Sequence, residues 1–79
     1  MKLERLLFLQ GGKCFYCGKA IADKTASIEH IIPKSCGGSN DVENLAVCCQ
    51  TINHMLADVS PKKKIELLVT WKGRAPCPD

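Results

Sequence analysis

Leu3, Leu6, Leu7 and Phe8 nearly make an apolar stripe at helical spacing, with Lys2, Glu4 and Arg5 outside it, so a helix is predicted from Met1 to Gln10. Gly11-Gly12 ends it, because glycine supplies the left-handed cap. From Ala26 to Ile32 the chain is rich in β-branched residues and reads as a strand that Pro33 stops. On that strand Glu29 and Ile31 share one face, and Ile28 and His30 the other. Lys34 to Glu43 is a polar loop in which Gly37-Gly38 allows a tight reversal. Asn44 to Val47 reads as a second strand. From Cys48 or Cys49 to Ala57 the positions Cys49, Ile52, Asn53 and Leu56 recur at i, i+3, i+4 and i+7, the spacing of one helix face. Ser60-Pro61 opens a last helix, with an N-cap serine before a proline at the first helical position. Ile65, Leu68 and Val69 are expected to point inward on it, and Gly73 to end it.

Seventy-nine residues make a single domain, 1–79, near the lower size limit for folding alone. Such a chain buries only about 60% of its unfolded surface and usually recruits a disulfide, a metal or a partner. Six cysteines point to the staple. The stretch Leu6 to Leu9 is too short for a signal-peptide core, and no apolar run reaches membrane-spanning length. The expectation is a soluble cytoplasmic protein without a membrane partner, where thiols stay reduced and paired cysteines favour metal. The sequence Lys13-Cys14-Phe15-Tyr16-Cys17-Gly18 fits that reading. Two residues between cysteines let both thiolates face one metal ion, and the turn's N–H groups soften their charge. A redox pair would open a helix after a strand. Here an aromatic pair and a following glycine favour a zinc knuckle.

The net charge is +3, and its distribution tells more than its sum. Residues 1–26 carry five Lys/Arg against two acids, residues 27–60 one Lys against four acids, and residues 61–79 five Lys/Arg against two acids. An acidic centre between basic ends suits a cation site held against a polyanion. Lys62, Lys63 and Lys64 lie near a helix N-terminus, where the dipole disfavours cations. That local cost suggests a use for the charges, although three lysines are also an ordinary solvated turn.

Read in order, Cys14-Phe15-Tyr16-Cys17, Glu29-His30-Ile31-Ile32-Pro33, Gly37-Gly38-Ser39-Asn40-Asp41, Asn44-Leu45, Cys49 and Asn53 resemble the HNH endonuclease family, over about residues 13–58. The resemblance implies an α+β fold: a small ββα-metal (His-Me finger) domain with flanking N- and C-terminal helices, the last with its tail at 60–79, stapled by structural zinc. It implies that His30 is the general base, that Glu29 and Asn53 hold a catalytic Mg²⁺ or Mn²⁺, and that Asn44 braces the loop and orients His30. The chemistry agrees. An imidazole with pKa near about 6.5 can take a proton from water near neutral pH. A hard cation supplies the positive charge that phosphodiester hydrolysis needs. Two oxygen ligands hold such an ion thinly, so it should bind weakly without DNA. His54 points about 100° away from Asn53 on a helix. It is therefore read as a DNA contact or plain surface.

The sequence departs from the family at two places. Zinc in such proteins is held by two CxxC pairs, yet the partner of Cys49 is replaced by Ile52. Three ligands do not close a structural zinc site. Cys36, Cys48 and Cys77 are the candidates for the fourth. Cys48 is adjacent to Cys49, and Cys36 lies toward the catalytic side. Cys77, stiffened by Pro76 and Pro78, can return to the knuckle at low entropic cost. The expected ligands are Cys14, Cys17, Cys49 and Cys77, with Cys48 packed as a small apolar residue. The family's lysine three positions after the final His/Asn is here Leu56, so a phosphate contact moves to Lys34, to Lys62, Lys63 and Lys64, or to Lys72 and Arg74. The expected function is a metal-dependent DNA endonuclease that nicks with low sequence specificity, with DNA and a targeting or packaging protein as partners. The alternatives are a non-catalytic zinc module that binds DNA or protein, and a thiol redox protein.

Overall fold

A computed structural model describes residues 2–57 and 59–77; Met1, Asp58, Pro78 and Asp79, which the expected first helix, motif core and tail include, lie outside them. The elements are α1 (Lys2–Leu9), β1 (Ala26–His30), β2 (Leu45–Cys49), α2 (Gln50–Met55) and α3 (Pro61–Trp71). The order is the expected α+β one, a β-hairpin followed by a short helix, with a helix on either side. Among the described residues no helix is long and apolar enough to cross a membrane.

The two strands pair antiparallel, Ala26 opposite Cys49 and His30 opposite Leu45. Alternation puts Ser27, Glu29, Ala46 and Cys48 on one face and Ala26, Ile28, Leu45 and Val47 on the other. The second face packs on Leu6 and Leu7 of α1. The first joins Cys48 to a core with Tyr16, Ile52 and Leu56, against which Leu67, Leu68 and Trp71 of α3 pack. All five residues of β2 are buried, as expected for a strand covered on both faces. Its outer edge is closed by Gln10, whose side-chain amide accepts from Val47 N at 2.7 Å and donates to Val47 O at 2.9 Å. One glutamine thus stands in for a third strand, leaving no open edge at Val47.

Four expectations need correcting. Phe8 is exposed, because α1 lies on the sheet through Leu3, Leu6 and Leu7 alone. Strand β1 stops at His30, two residues early. The second strand runs Leu45–Cys49, not Asn44 to Val47, and α2 begins only at Gln50. On α3, Ile65 and Val69 are 59% and 66% exposed, and the inward stripe is Lys64, Leu67, Leu68 and Trp71, a full i, i+3, i+4, i+7 set. The Ser60 cap is as read: its Oγ accepts from Lys63 N at 3.2 Å.

The strand-joining segment is pinned by Asn44. Its Oδ1 accepts from Ile32 N at 2.8 Å, and its Nδ2 donates to Ile32 O at 3.0 Å and Ser39 O at 2.8 Å. Gly38 lets the loop close this tightly: a Cβ there would overlap the Ile32 carbonyl and lie 2.9 Å from Asn44 Nδ2. The contact is with backbone, which cannot swing aside. Gly38→Ala is therefore expected to destabilise the protein by about 1–3 kcal/mol. Urea unfolding checks this: an unchanged midpoint would mean that the loop is not held by this close approach.

Candidate active site and metal centre

The knuckle is a tight turn in which Cys14 N donates to Lys19 O at 2.8 Å and Gly18 N to Cys14 O at 3.0 Å. The same turn aims Tyr16 N and Cys17 N at Cys14 Sγ, both at 3.4 Å, and Lys19 N at Cys17 Sγ at 3.5 Å. Cys49 closes β2 directly beside it. After α3, Lys72 adopts φ 50° and the chain reverses through Gly73, so that Ala75 N donates to Tyr16 O at 3.2 Å. This return carries Cys77 to the knuckle. The sulfurs of Cys14, Cys17, Cys49 and Cys77, all buried, lie within 4.8 Å of one another. Cys14 and Cys77 are 3.8 Å apart. A tetrahedral zinc with bonds of about 2.3 Å requires sulfur separations of roughly that size.

The donor set fits zinc chemically as well as geometrically. Burial pushes the Cys14 thiol up, but the backbone N–H groups of Cys17, Cys49 and Tyr16 outweigh it and the net shift is downward. Burial pushes Cys49 up to about 11, with the Cys77 thiol acting against it and Cys14 and Cys17 adding to it, and pushes Cys77 further still, where Cys17, Cys49 and Cys14 all add to the rise. Four crowded thiols that cannot all ionise alone are a site that a cation would stabilise. Cys48 is fully buried on the opposite side of β2 from Cys49, and Cys36 is exposed in a 3-10 turn at Lys34–Cys36. Ile52, where a second pair would have ended, fills the core instead.

A cavity of about 260 Å³ opens beside β1 and α2, and Glu29, His30, Lys34, Asn53 and Lys64 border it. Glu29 is 3% exposed. Its Oε2 accepts from the Tyr16 hydroxyl and lies 3.8 Å from Lys64 Nζ, while its Oε1 is buried without a partner. Burial pushes the Glu29 carboxyl up, and Tyr16, Lys64 and His30 act against that without cancelling it. Asn53 is tethered through its amide nitrogen, which donates to Ser27 Oγ at 2.6 Å and Ile28 O at 3.3 Å. That tether fixes the side chain and leaves the amide oxygen to the cavity. An orphaned carboxylate oxygen and a fixed amide oxygen fit a hard divalent cation.

His30 is held by Asn40, whose Oδ1 is 2.8 Å from Nε2. An amide oxygen only accepts, so Nε2–H donates to it and Nδ1 is left outside that bond. Asn44 braces the loop as expected, but its side chain bonds Ile32 and Ser39 rather than His30; orienting the ring falls to Asn40. Lys64 differs from the other expected phosphate contacts in being buried. It is 4% exposed and donates to His30 O at 3.1 Å. Lys34, Lys62, Lys63, Lys72, Arg74 and His54 are exposed.

Residues 14–65, more than half of the chain, match the family model described as HNH endonuclease. The chain belongs to the HNH endonuclease family. A curated relative, the CRISPR-associated endonuclease Cas9 of Actinomyces naeslundii, is 42% identical over 48 residues. That stretch is 60% of this chain and 4% of the relative. The matched span takes in the knuckle, both HNH strands, α2 and Lys64, but not Cys77.

Tyr16 and Asn40 border the site without having been singled out from the sequence, and Lys64, expected as a surface phosphate contact, lies buried beside Glu29 instead. Each had a signal. Tyr16 is locked between two clustered cysteines, Asn40 sits in the glycine loop opposite His30, and Lys64 continues the stripe of Leu67, Leu68 and Trp71 one turn back.

Two outcomes are expected. Cys77→Ser should lose zinc to a chelator that leaves the parent protein loaded, and lower the melting temperature by roughly 10 °C, since about 1 kcal/mol moves a small domain by about 4–8 °C. Cys36→Ser should change neither, as measured by metal content and calorimetry. The raised Glu29 pKa sets a sign for pH. The folded state holds this proton more tightly than the unfolded chain, so ionising Glu29 costs stability as pH rises between its ordinary and raised values. A cation needs the ionised form, so Mn²⁺ binding should be lost on acidification at a pH above the ordinary value of 4.5. Titration of Mn²⁺ binding against pH, with Glu29→Gln as control, checks this.

Proposed function

We propose that this chain is a metal-dependent DNA endonuclease that nicks, with water activated by His30 and structural zinc at Cys14, Cys17, Cys49 and Cys77. The observation that supports it best is a cavity bordered together by Glu29, His30 and Asn53 in a chain of the HNH family. His30 Nδ1 takes the proton of the attacking water while Asn40 keeps Nε2 protonated and the ring fixed. Glu29 and Asn53 hold Mg²⁺ or Mn²⁺, which when bound supplies positive charge to the phosphate. Attack in line on phosphorus leaves a 5′-phosphate and a 3′-hydroxyl.

Exposed Lys34, Lys62, Lys63, Lys72 and Arg74 are proposed to hold the DNA backbone. Such contacts position the duplex without reading its sequence. Low intrinsic specificity follows, and with it a targeting or packaging protein as partner. One site on one chain cuts one strand per encounter. A second reading, a zinc module without catalysis, has one observation in its favour: Glu29 is already engaged by Tyr16 and Lys64.

A plasmid nicking assay separates the two readings. Supercoiled DNA should be converted to the open circular form with Mg²⁺ or Mn²⁺ and not with EDTA. His30→Ala should lower the rate by on the order of 10²–10⁴-fold. Cleavage that survives His30→Ala would refute the base assignment, and no cleavage with any divalent ion would favour the binding module.

A further inference from the structure

A buried lysine needs a physical reason, and α3 does not supply one. Lys64 stands near the positive end of the helix dipole, which disfavours a cation. Burial also removes hydration from its ammonium and freezes a long side chain. What holds it is at the cavity: His30 O accepts from Nζ at 3.1 Å, and Glu29 Oε2 lies 3.8 Å away. Neither group is exposed enough for water to replace the other, with Lys64 at 4% and Glu29 at 3%. The stem reaches them because Lys64 continues the inward stripe of Leu67, Leu68 and Trp71.

We propose that Lys64 is the resident counter-cation of Glu29 and competes with the divalent ion for that carboxylate, so that the free protein holds the ion weakly and a phosphate strengthens its hold. The inference rests on reading Glu29 and Asn53 as the cation site. The charge balance carries it. Glu29 contributes one negative charge, Asn53 none, and buried Lys64 and exposed Lys34 one positive charge each, which leaves the cavity with no net negative charge to receive a divalent ion. A phosphodiester brings the missing charge. It also offers the ammonium an acceptor, so Lys64 turns from competitor into phosphate ligand when DNA arrives. Lys64 is in this sense a positioning residue that sets the order in which DNA and cation load.

The test is Mn²⁺ binding to the zinc-loaded, DNA-free protein, followed by electron paramagnetic resonance. Lys64→Met keeps the length and apolar stem without the charge. It should bind Mn²⁺ on the order of tenfold more tightly than the wild type, and Mn²⁺ should raise its melting temperature more. Glu29→Gln should abolish binding in both backgrounds. If Glu29→Gln abolishes binding while Lys64→Met binds no more tightly than wild type, the proposal is overturned and the cation site stands. If Mn²⁺ binds neither the wild type nor Lys64→Met, both are overturned. Should Lys64→Met fail to fold, the Lys64 Nζ resonance of the wild-type protein decides. It should shift as Mg²⁺ is titrated in, and a fixed resonance at saturation overturns the competition.

Discussion

Four thiol sulfurs within 4.8 Å of one another are the constraint on which the rest of this domain depends. They come from three separate parts of the chain: the knuckle at Cys14 and Cys17, the end of β2 at Cys49, and the tail at Cys77. A chain of this length has little apolar surface to bury, and its described core is two small clusters on either side of a two-stranded sheet. Joining the tail to the knuckle closes a loop of the whole molecule and traps α3 against Tyr16, Ile52 and Leu56. Without that closure α3 would rest on half-buried Leu67, Leu68 and Trp71 and on buried Lys64.

The cluster reaches the cavity through a single side chain. Tyr16 lies between Cys14 and Cys17, packs edge-on to Trp71 at 6.1 Å between ring centroids, and donates its hydroxyl to Glu29. Its ring is therefore fixed by the knuckle at one end and by α3 at the side. Burial pushes the Tyr16 hydroxyl up, with Glu29 adding to it, so it remains a donor. Glu29 is held in this way from the knuckle by Tyr16 and from α3 by Lys64, and Asn53 is held from β1. Glu29 and Asn53, which border the cavity, are thus positioned from the knuckle, from α3 and from β1.

Much of this was legible in the sequence because the informative residues act locally or in pairs. The Cys-x-x-Cys turn, the Ser60-Pro61 cap and the strand carrying Glu29-His30 each follow from a few neighbouring residues. Cys77 was legible by a different route: Ile52 removes one ligand, and the stiff tail can supply another. The inward face of α3 was misread because Ile65 and Val69 are apolar and Lys64 is charged. Hydrophobic periodicity assigns faces by transfer preference, and a lysine paired to a buried carboxylate reverses that preference. The role given to Asn44 divided in two for a related reason. Asn40 and Asn44 both lie in the loop, and which of them meets His30 depends on how Gly38 folds the chain against Ile32, a contact that no local pattern encodes.

The same arrangement places two chemically different donor sets in one small domain. Four sulfurs, softened by backbone N–H groups from the knuckle, suit a soft and permanent ligand set. Glu29 and Asn53 beside the cavity offer oxygen donors, the kind that suit a hard ion. The two donor sets do not compete for one ion, because sulfur and oxygen ligands select different metals. They are nevertheless linked mechanically. The knuckle that the sulfurs would close around zinc also places the Tyr16 hydroxyl, and that hydroxyl occupies Oε2 of Glu29, while Oε1 is buried without a partner.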